Sequence, residues 1–159
     1  MNTDNRTAPA VQEKERNQVS IDLMRRMRLN GMAAAFAESL SSTYAETMTP
    51  DGFVSWLLAR EWDYRSSAAI ERLIRGANFR YKAYPEEIDY AINRGLERNQ
   101  MERLLALDFV RQGMNLFITG SSGTGKSFLA TAIGYQSCKN GIRTLYANIT
   151  KLLGILKVA

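Results

Sequence analysis

The most informative segment of this sequence is Gly120-Ser121-Ser122-Gly123-Thr124-Gly125-Lys126-Ser127, which matches G-x-x-x-x-G-K-[ST] at every fixed position. Glycines let the chain turn so that successive backbone N–H groups face inward and hold phosphate oxygens. The helix that follows points its amino end at the same anion. In this motif the lysine, Lys126, reaches the β and γ phosphates, and the Ser127 hydroxyl binds Mg²⁺. The sequence therefore predicts a nucleotide-binding loop.

The segments around this loop have the patterns of a P-loop α/β domain. Residues 114–119 are a short apolar run typical of a strand, and residues 126–139 are typical of a helix. A second strand-like run covers 144–148, and an amphipathic helix opens at Ile149-Thr150. The order strand, loop, helix, strand, helix predicts the first part of an α/β domain over residues 114–159.

Only helical patterns precede this domain. Residues 1–17 are polar and lack periodicity, which predicts a disordered leader. An apolar stripe from Gln18 predicts a helix that Asn30-Gly31 ends, because glycine readily adopts the left-handed conformation at a helix end. We expect a second helix over 32–45.

The third helix has the clearest start. Thr49 is suited to cap it, Pro50 fits its first position, and Asp51 complements its dipole, so we predict a helix over 50–76 with Trp56 and Trp62 in the core. The helical domain then covers 18–76. A linker and a further helix, from about Ile92 to Gln112, occupy 77–113.

Composition excludes several classes of site. The 159 residues include no His and one Cys, Cys138, which excludes imidazole metal sites, Ser-His nucleophile pairs, intramolecular disulfides and thiolate zinc clusters. A single cysteine fits a reducing cytoplasm. Without a long apolar run or an apolar signal core, neither a membrane span nor export is expected.

The net charge of +5 lies entirely in one part of the chain. Residues 1–113 carry 16 bases and 16 acids, whereas residues 114–159 carry five bases and no acid. Phosphoryl transfer needs a carboxylate on a later strand to hold Mg²⁺ and a group to orient water. No carboxylate follows Asp108, so we expect no catalytic residues here and nucleotide binding without hydrolysis.

Two basic segments are candidates for contacts to DNA or adenine. Arg25, Arg26 and Arg28 fall on the outer side of the first helix. Phe79-Arg80-Tyr81-Lys82 interleaves aromatic and basic residues, which suits phosphate contacts with base stacking, or the border of an adenine pocket. An exposed helix face and a packed linker explain the same residues without a ligand.

The chain resembles the IstB-type transposition helper ATPases of the AAA+ superfamily, which are close to DnaC-like helicase loaders. Three segments carry the resemblance, and it extends over about residues 18–159: Arg28-Leu29-Asn30-Gly31-Met32-Ala33-Ala34-Ala35, the Gly120–Ser127 loop, and Phe128-Leu129-Ala130-Thr131-Ala132-Ile133-Gly134-Tyr135. The phosphate loop alone indicates a P-loop NTPase, and the first segment narrows the family.

The resemblance implies ATP and Mg²⁺ as cofactors, with Gly120, Gly123, Gly125, Lys126 and Ser127 as the Walker A residues and Thr124 adding a backbone contact. It also implies assembly of several copies on double-stranded DNA and cooperation with a transposase in choosing target DNA.

In the AAA+ sheet later strands separate the first two, so residues 114–119 and 144–148 are not expected to pair. The family's Walker B carboxylates, sensors and arginine finger have no counterpart here. We therefore expect an incomplete AAA+ domain, in a fragment or truncated product that is inactive as an ATPase by itself. A helicase loader and a non-enzymatic partner-binding fragment remain the alternatives.

Overall fold

The computed structural model describes residues 7–42, 47–91 and 95–156 of the chain. Its helices are α1 (Thr7–Arg26), α2 (Asn30–Ser39), α3 (Pro50–Gly76), a 3-10 turn (Pro85–Glu87), α4 (Arg98–Leu105), α5 (Asp108–Arg111), α6 (Lys126–Lys139) and α7 (Ile149–Leu156). The chain divides into two compact units, Met1–Ala68 and Ala69–Ala159. The predicted domain limits at 76 and 113 stay a prediction.

The first helix begins well before the predicted position. α1 starts at Thr7, so the prediction of a disordered leader is wrong for residues 7–17, and residues 1–6 lie outside the described part. A side-chain pair supports this helix, since the amide of Gln18 donates to the carboxylate of Asp22 four residues later at 3.0 Å.

The turn between α1 and α2 corrects the expected role of Gly31. Arg28, not Gly31, adopts the left-handed conformation, with φ 60°, and the N–H of Leu29 donates to the carbonyl of Met24 at 2.8 Å. Gly31 lies in the first turn of α2, where a Cβ would stand 2.6 Å from the carbonyl oxygen of Arg60. Glycine is needed there for close approach of α2 to α3.

The second helix is shorter than predicted. α2 ends at Ser39, and residues 40–42 are not helical, so the prediction of a helix to 45 is wrong for these residues. Residues 43–45 lie outside the described part of the chain.

The third helix confirms the prediction, running over Pro50–Gly76 with the Thr49 hydroxyl accepting the N–H of Gly52 at 3.3 Å. Trp56 is half-buried and stacks on Phe53 with ring centroids 5.7 Å apart. Trp62 is 73% exposed, so its predicted place in the core is wrong. Buried Leu57 lies on a neighbouring face of α3 and supplies the apolar contact instead.

A buried carboxylate joins α3 to the start of α2. Glu61 accepts the N–H of Met32 at 3.1 Å and the Nε–H of Arg65 at 2.6 Å. Arg65 also donates to the carbonyl of Arg28 at 3.4 Å. Burial raises the pKa of the Glu61 carboxyl, but the bonds from Arg65, Met32 and Gly31 outweigh burial and leave that pKa below its usual value.

Because the folded protein holds this carboxylate ionised, the stabilisation is complete at neutral pH and is lost as acid protonates Glu61. We expect Glu61→Gln to lower the free energy of unfolding of the first unit by about 2 kcal/mol at pH 7. The difference from the wild type shrinks on acidification. Urea titrations followed by tryptophan fluorescence measure it, since Trp56 and Trp62 both lie in this unit.

The matched control is Glu38→Gln, because Glu38 pairs with Arg60 at 3.2 Å on the surface, where both side chains are at least half exposed. An exposed pair contributes less than about 1 kcal/mol. Equal losses at Glu61 and Glu38, or a Glu61 effect that grows in acid, would contradict this account.

The second unit packs α4, α5 and α6 around a small core. Its buried residues are Ala83, Ile88, Met101, Leu107, Ala132 and Ile133. The helix predicted to continue to Gln112 is divided into α4 and α5, because Leu107 adopts φ 62° between them, and its predicted first residues, 92–94, lie outside the described part. Residues 95–97 are not helical. Burial of the Leu107 side chain in the core accounts for the break.

No β-strand is formed within residues 7–42, 47–91 and 95–156, so the predicted α/β sheet is not confirmed. Segments 114–119 and 144–148 have irregular backbone, so their separation in an AAA+ sheet stays a prediction. The N–H of Tyr146 instead donates to the carbonyl of Ala77 at 2.7 Å. A strand depends on a neighbouring strand for its ladder of backbone bonds, and one such bond does not supply it.

None of the helices in the described ranges has both the length and the apolar character needed to cross a membrane.

Candidate phosphate-binding site

The glycine-rich loop keeps the backbone conformation that its glycines allow. Gly123 and Gly125 have φ 80° and 88°, in the left-handed region that favours glycine, and Gly120 has φ 149°. A Cβ on Gly120 would lie 3.3 Å from the Oγ1 of Thr124, so a side chain there would crowd the loop. Gly125 immediately precedes α6, which places the free N–H groups of the first turn of α6 beside the loop.

One carbonyl organises the polar side chains of this loop. The oxygen of Ser121 accepts the Thr124 hydroxyl at 2.9 Å and the Lys126 ammonium at 2.6 Å. Sequence reasoning gave Thr124 a backbone role only and missed this side-chain bond. A threonine three residues after a serine in a tight turn was the available signal.

The remaining bonding capacity of Lys126 and Ser127 suits an anion and a metal ion. The ammonium of Lys126 has three N–H groups and donates one of them to the carbonyl of Ser121. The hydroxyl of Ser127 has no hydrogen-bond partner among the described residues, although the Ser127 carbonyl accepts the Thr131 hydroxyl at 2.8 Å. No group of three or more Asp, Glu or Cys side chains that could hold a metal ion occurs in the part of the chain that the structure describes.

α6 supports the loop from the core side. Its residues Thr131, Ala132, Ile133, Gly134, Ser137 and Cys138 are buried. At Gly134 a Cβ would stand 2.9 Å from the ring of Phe79, so this glycine lets the segment after α3 lie against α6. The loop therefore leads into a helix that is packed in the core of the second unit.

Phe79 and the three candidate residues that follow it differ in their burial. Phe79 is half-buried against α6, with its ring centroid 6.4 Å from that of Tyr135. Arg80, Tyr81 and Lys82 are exposed in the same unit. Phe79 thus supports the segment, and its three successors remain accessible.

The arginines of the α1–α2 turn lie in the first unit. Arg25, Arg26 and Arg28 are exposed, and Arg25 is 3.7 Å from the carboxylate of Asp22. Arg26 and Arg28 have no ion-pair partner among residues 7–42, 47–91 and 95–156. This turn presents positive charge beside the close α2–α3 contact at Gly31.

Comparison with known proteins identifies the relatives of the chain. The model of the family described as IstB-like ATP binding protein matches residues 22–159. An insertion-sequence ATP-binding protein of Sinorhizobium fredii is 36% identical over 140 residues, which are 88% of this chain and 57% of that protein. The ATP-binding protein of insertion sequence IS1162 from Pseudomonas fluorescens is 33% identical over 143 residues, 89% of this chain and 62% of that protein.

A third relative, the ATP-binding protein of insertion sequence IS21 from Pseudomonas aeruginosa, is 24% identical over 137 residues, 86% of this chain and 52% of that protein. The chain thus spans roughly half to three fifths of the length of these relatives.

Proposed function

Because the chain belongs to the family of IstB-like ATP-binding proteins, we propose that it binds ATP with Mg²⁺ through Gly120–Ser127 and acts as the helper ATPase component of an insertion-sequence transposition system. The single observation that carries this proposal is the loop: positive-φ glycines lead into α6, whose first residues are Lys126 and Ser127. The relatives are named as ATP-binding proteins of insertion sequences, which supports a role in such an element.

Each loop residue has a definite part in the proposed site. The N–H groups from Ser121 to Lys126 hold phosphate oxygens, and Lys126 adds a charge-assisted bond. Ser127 ligates Mg²⁺, which neutralises phosphate charge when bound. Thr124 fixes the Ser121 carbonyl by donating a hydrogen bond to it.

We propose ATP binding without turnover for these 159 residues. No carboxylate follows Asp108, and Asp108 is engaged on the surface with Arg111 at 3.1 Å. The carboxylate that positions Mg²⁺ and the group that orients water are both required for rapid hydrolysis. Hydrolysis is proposed only for family proteins that carry those groups.

The proposed partners are double-stranded DNA, a cognate transposase and further copies of the protein, in the cytoplasm. Exposed Arg26 and Arg28 in the first unit, and exposed Arg80, Tyr81 and Lys82 in the second, support contacts to phosphates. None of these residues recognises a base pair in the proposal, so we expect little preference for DNA sequence.

A partner-binding role for the first unit is the second candidate. Trp62 is 73% exposed, and Leu58, four residues earlier on α3, is 56% exposed. Large apolar side chains adjacent on one helix face are typical of a protein interface. This role is compatible with the helper function and replaces it if nucleotide has no effect on DNA binding.

The proposed function is tested by anisotropy of a labelled 30-base-pair duplex titrated with the chain, with and without ATP–Mg²⁺. We expect ATP to tighten binding at least about tenfold and Lys126→Ala to remove that gain while keeping the affinity measured without ATP. Equal affinity with and without ATP contradicts the helper role and favours the partner-binding alternative.

A further inference from the structure

A cavity lies in the second unit, and no residue of the phosphate loop lines it. Its volume is about 660 Å³, within the usual range for ligand sites. The lining residues are Asn78, Arg80, Leu145, Tyr146, Ala147, Asn148 and Leu152. Two walls are fixed to each other, because the N–H of Tyr146 donates to the carbonyl of Ala77 at 2.7 Å.

The cavity combines an apolar floor with polar groups that are free to bind. Leu145, Tyr146 and Leu152 provide the apolar surface. The Asn148 side-chain oxygen accepts the N–H of Thr150 at 2.9 Å, which starts α7 and leaves the amide NH₂ as a donor. The side chains of Asn78 and Arg80 make no hydrogen bond or ion pair with another described residue.

The charge around this cavity favours an anionic ligand. Arg80 is the sole charged residue among those that line it. The two sequence segments that build its walls, 77–84 and 142–156, include Arg80, Lys82 and Arg143 and no acid. Lys82 and Arg143 are exposed. A ligand with a planar apolar part and a phosphate matches this combination.

We propose that this cavity binds one unpaired nucleotide of a DNA strand. The base lies on Tyr146 and Leu152, the Asn148 amide donates to an acceptor on the base edge, and Arg80 holds the adjoining phosphate. The inference rests on the proposed DNA-binding function and adds a binding mode to it, since a paired base inside a duplex cannot enter such a cavity.

A nucleotide within a strand fits better than a free nucleotide. The mouth is open, because Ala147 and Asn148 are exposed and Leu145 is 65% exposed. Exposed Tyr81 and Lys82 directly follow Arg80 and extend the basic and aromatic surface beyond the cavity. A strand entering the cavity therefore meets further phosphate and base contacts, which a mononucleotide does not reach.

The test is anisotropy of a labelled 12-nucleotide single strand with the 159-residue chain, without ATP, at several salt concentrations. Arg80→Gln should weaken binding at least about tenfold and make the slope of log K against log salt shallower by about 0.7, the value for one phosphate contact on a single strand. Asn148→Asp should weaken binding as much, although aspartate caps α7 as well as asparagine does.

One variant serves as the control. Arg72→Gln removes the same charge from an exposed site on α3 outside the cavity and should have less than a twofold effect. Because this titration contains no ATP, failure of the proposal is separate from failure of the ATP site.

Any of three results overturns the proposal. The first is an equal loss in Arg80→Gln and Arg72→Gln. The second is displacement of the strand by free AMP at the same nucleotide concentration. The third is equally tight binding of a blunt duplex through Arg80 and Asn148.

Discussion

Replacing Lys126 with alanine is expected to weaken the binding of ATP–Mg²⁺ at least about 100-fold, or about 2.7 kcal/mol. The ammonium is the one cationic group within the Gly120–Ser127 loop, and it retains two N–H groups beyond its bond to Ser121. Its loss leaves the loop without a cationic side chain to bond the phosphates. Isothermal titration calorimetry of the wild type and of Lys126→Ala with ATP and Mg²⁺ measures the difference in affinity.

The control for this variant lies at the other end of the same helix. Lys139→Ala removes one lysine from α6, where it pairs with Glu86 at 3.2 Å on the surface. We expect its ATP affinity to stay within twofold of the wild type, and circular dichroism of both variants to match it. Comparable ATP affinities for Lys126→Ala and the wild type would show that the nucleotide does not use this loop.

Replacing Gly31 with alanine is expected to destabilise the first unit by about 3 kcal/mol. The added Cβ would stand 2.6 Å from the Arg60 carbonyl oxygen, 2.7 Å from the Cβ of Tyr64 and 2.8 Å from the Cα of Glu61. Two of these neighbours are backbone atoms of α3, so the helices must separate to make room. That separation also lengthens the bond from the N–H of Met32 to Glu61.

Urea unfolding followed by tryptophan fluorescence measures this loss, since both tryptophans report the first unit. Gly76→Ala is the control for a glycine-to-alanine change on the same helix, because Gly76 lies in the second unit and no atom lies within 4 Å of a Cβ at that position. Alanine is the better helix former, so we expect Gly76→Ala to cause no loss in the unfolding transition that the tryptophans report. A Gly31→Ala variant as stable as Gly76→Ala would refute the close approach.

Sequence reasoning succeeded where local residues decide the structure. The Thr49-Pro50-Asp51 start of α3 follows from capping and helix-dipole chemistry, and α6 follows from the loop motif and its apolar residues. The segment over residues 28–35, together with the loop motif, indicated the IstB-type family, and the family match over residues 22–159 confirms it. These features depend on neighbours within a few residues, so the sequence alone specifies them.

It failed where distant residues decide the structure. The space between α2 and α3 at Gly31 and the burial of Glu61 depend on a contact between segments about thirty residues apart. The exposure of Trp62 depends on which face of α3 meets its neighbours. The cavity beside Arg80 depends on a backbone hydrogen bond between Ala77 and Tyr146, which the periodicity of the sequence does not predict.

Binding of the ATP phosphates by Gly120–Ser127 is tested by following the backbone amides of the ¹⁵N-labelled chain while ATP–Mg²⁺ is added. We expect saturable shifts concentrated at Gly123, Gly125, Lys126 and Ser127, and their absence in Lys126→Ala. Unchanged amides in the loop, or saturable shifts confined to other parts of the chain, would contradict ATP binding at this loop.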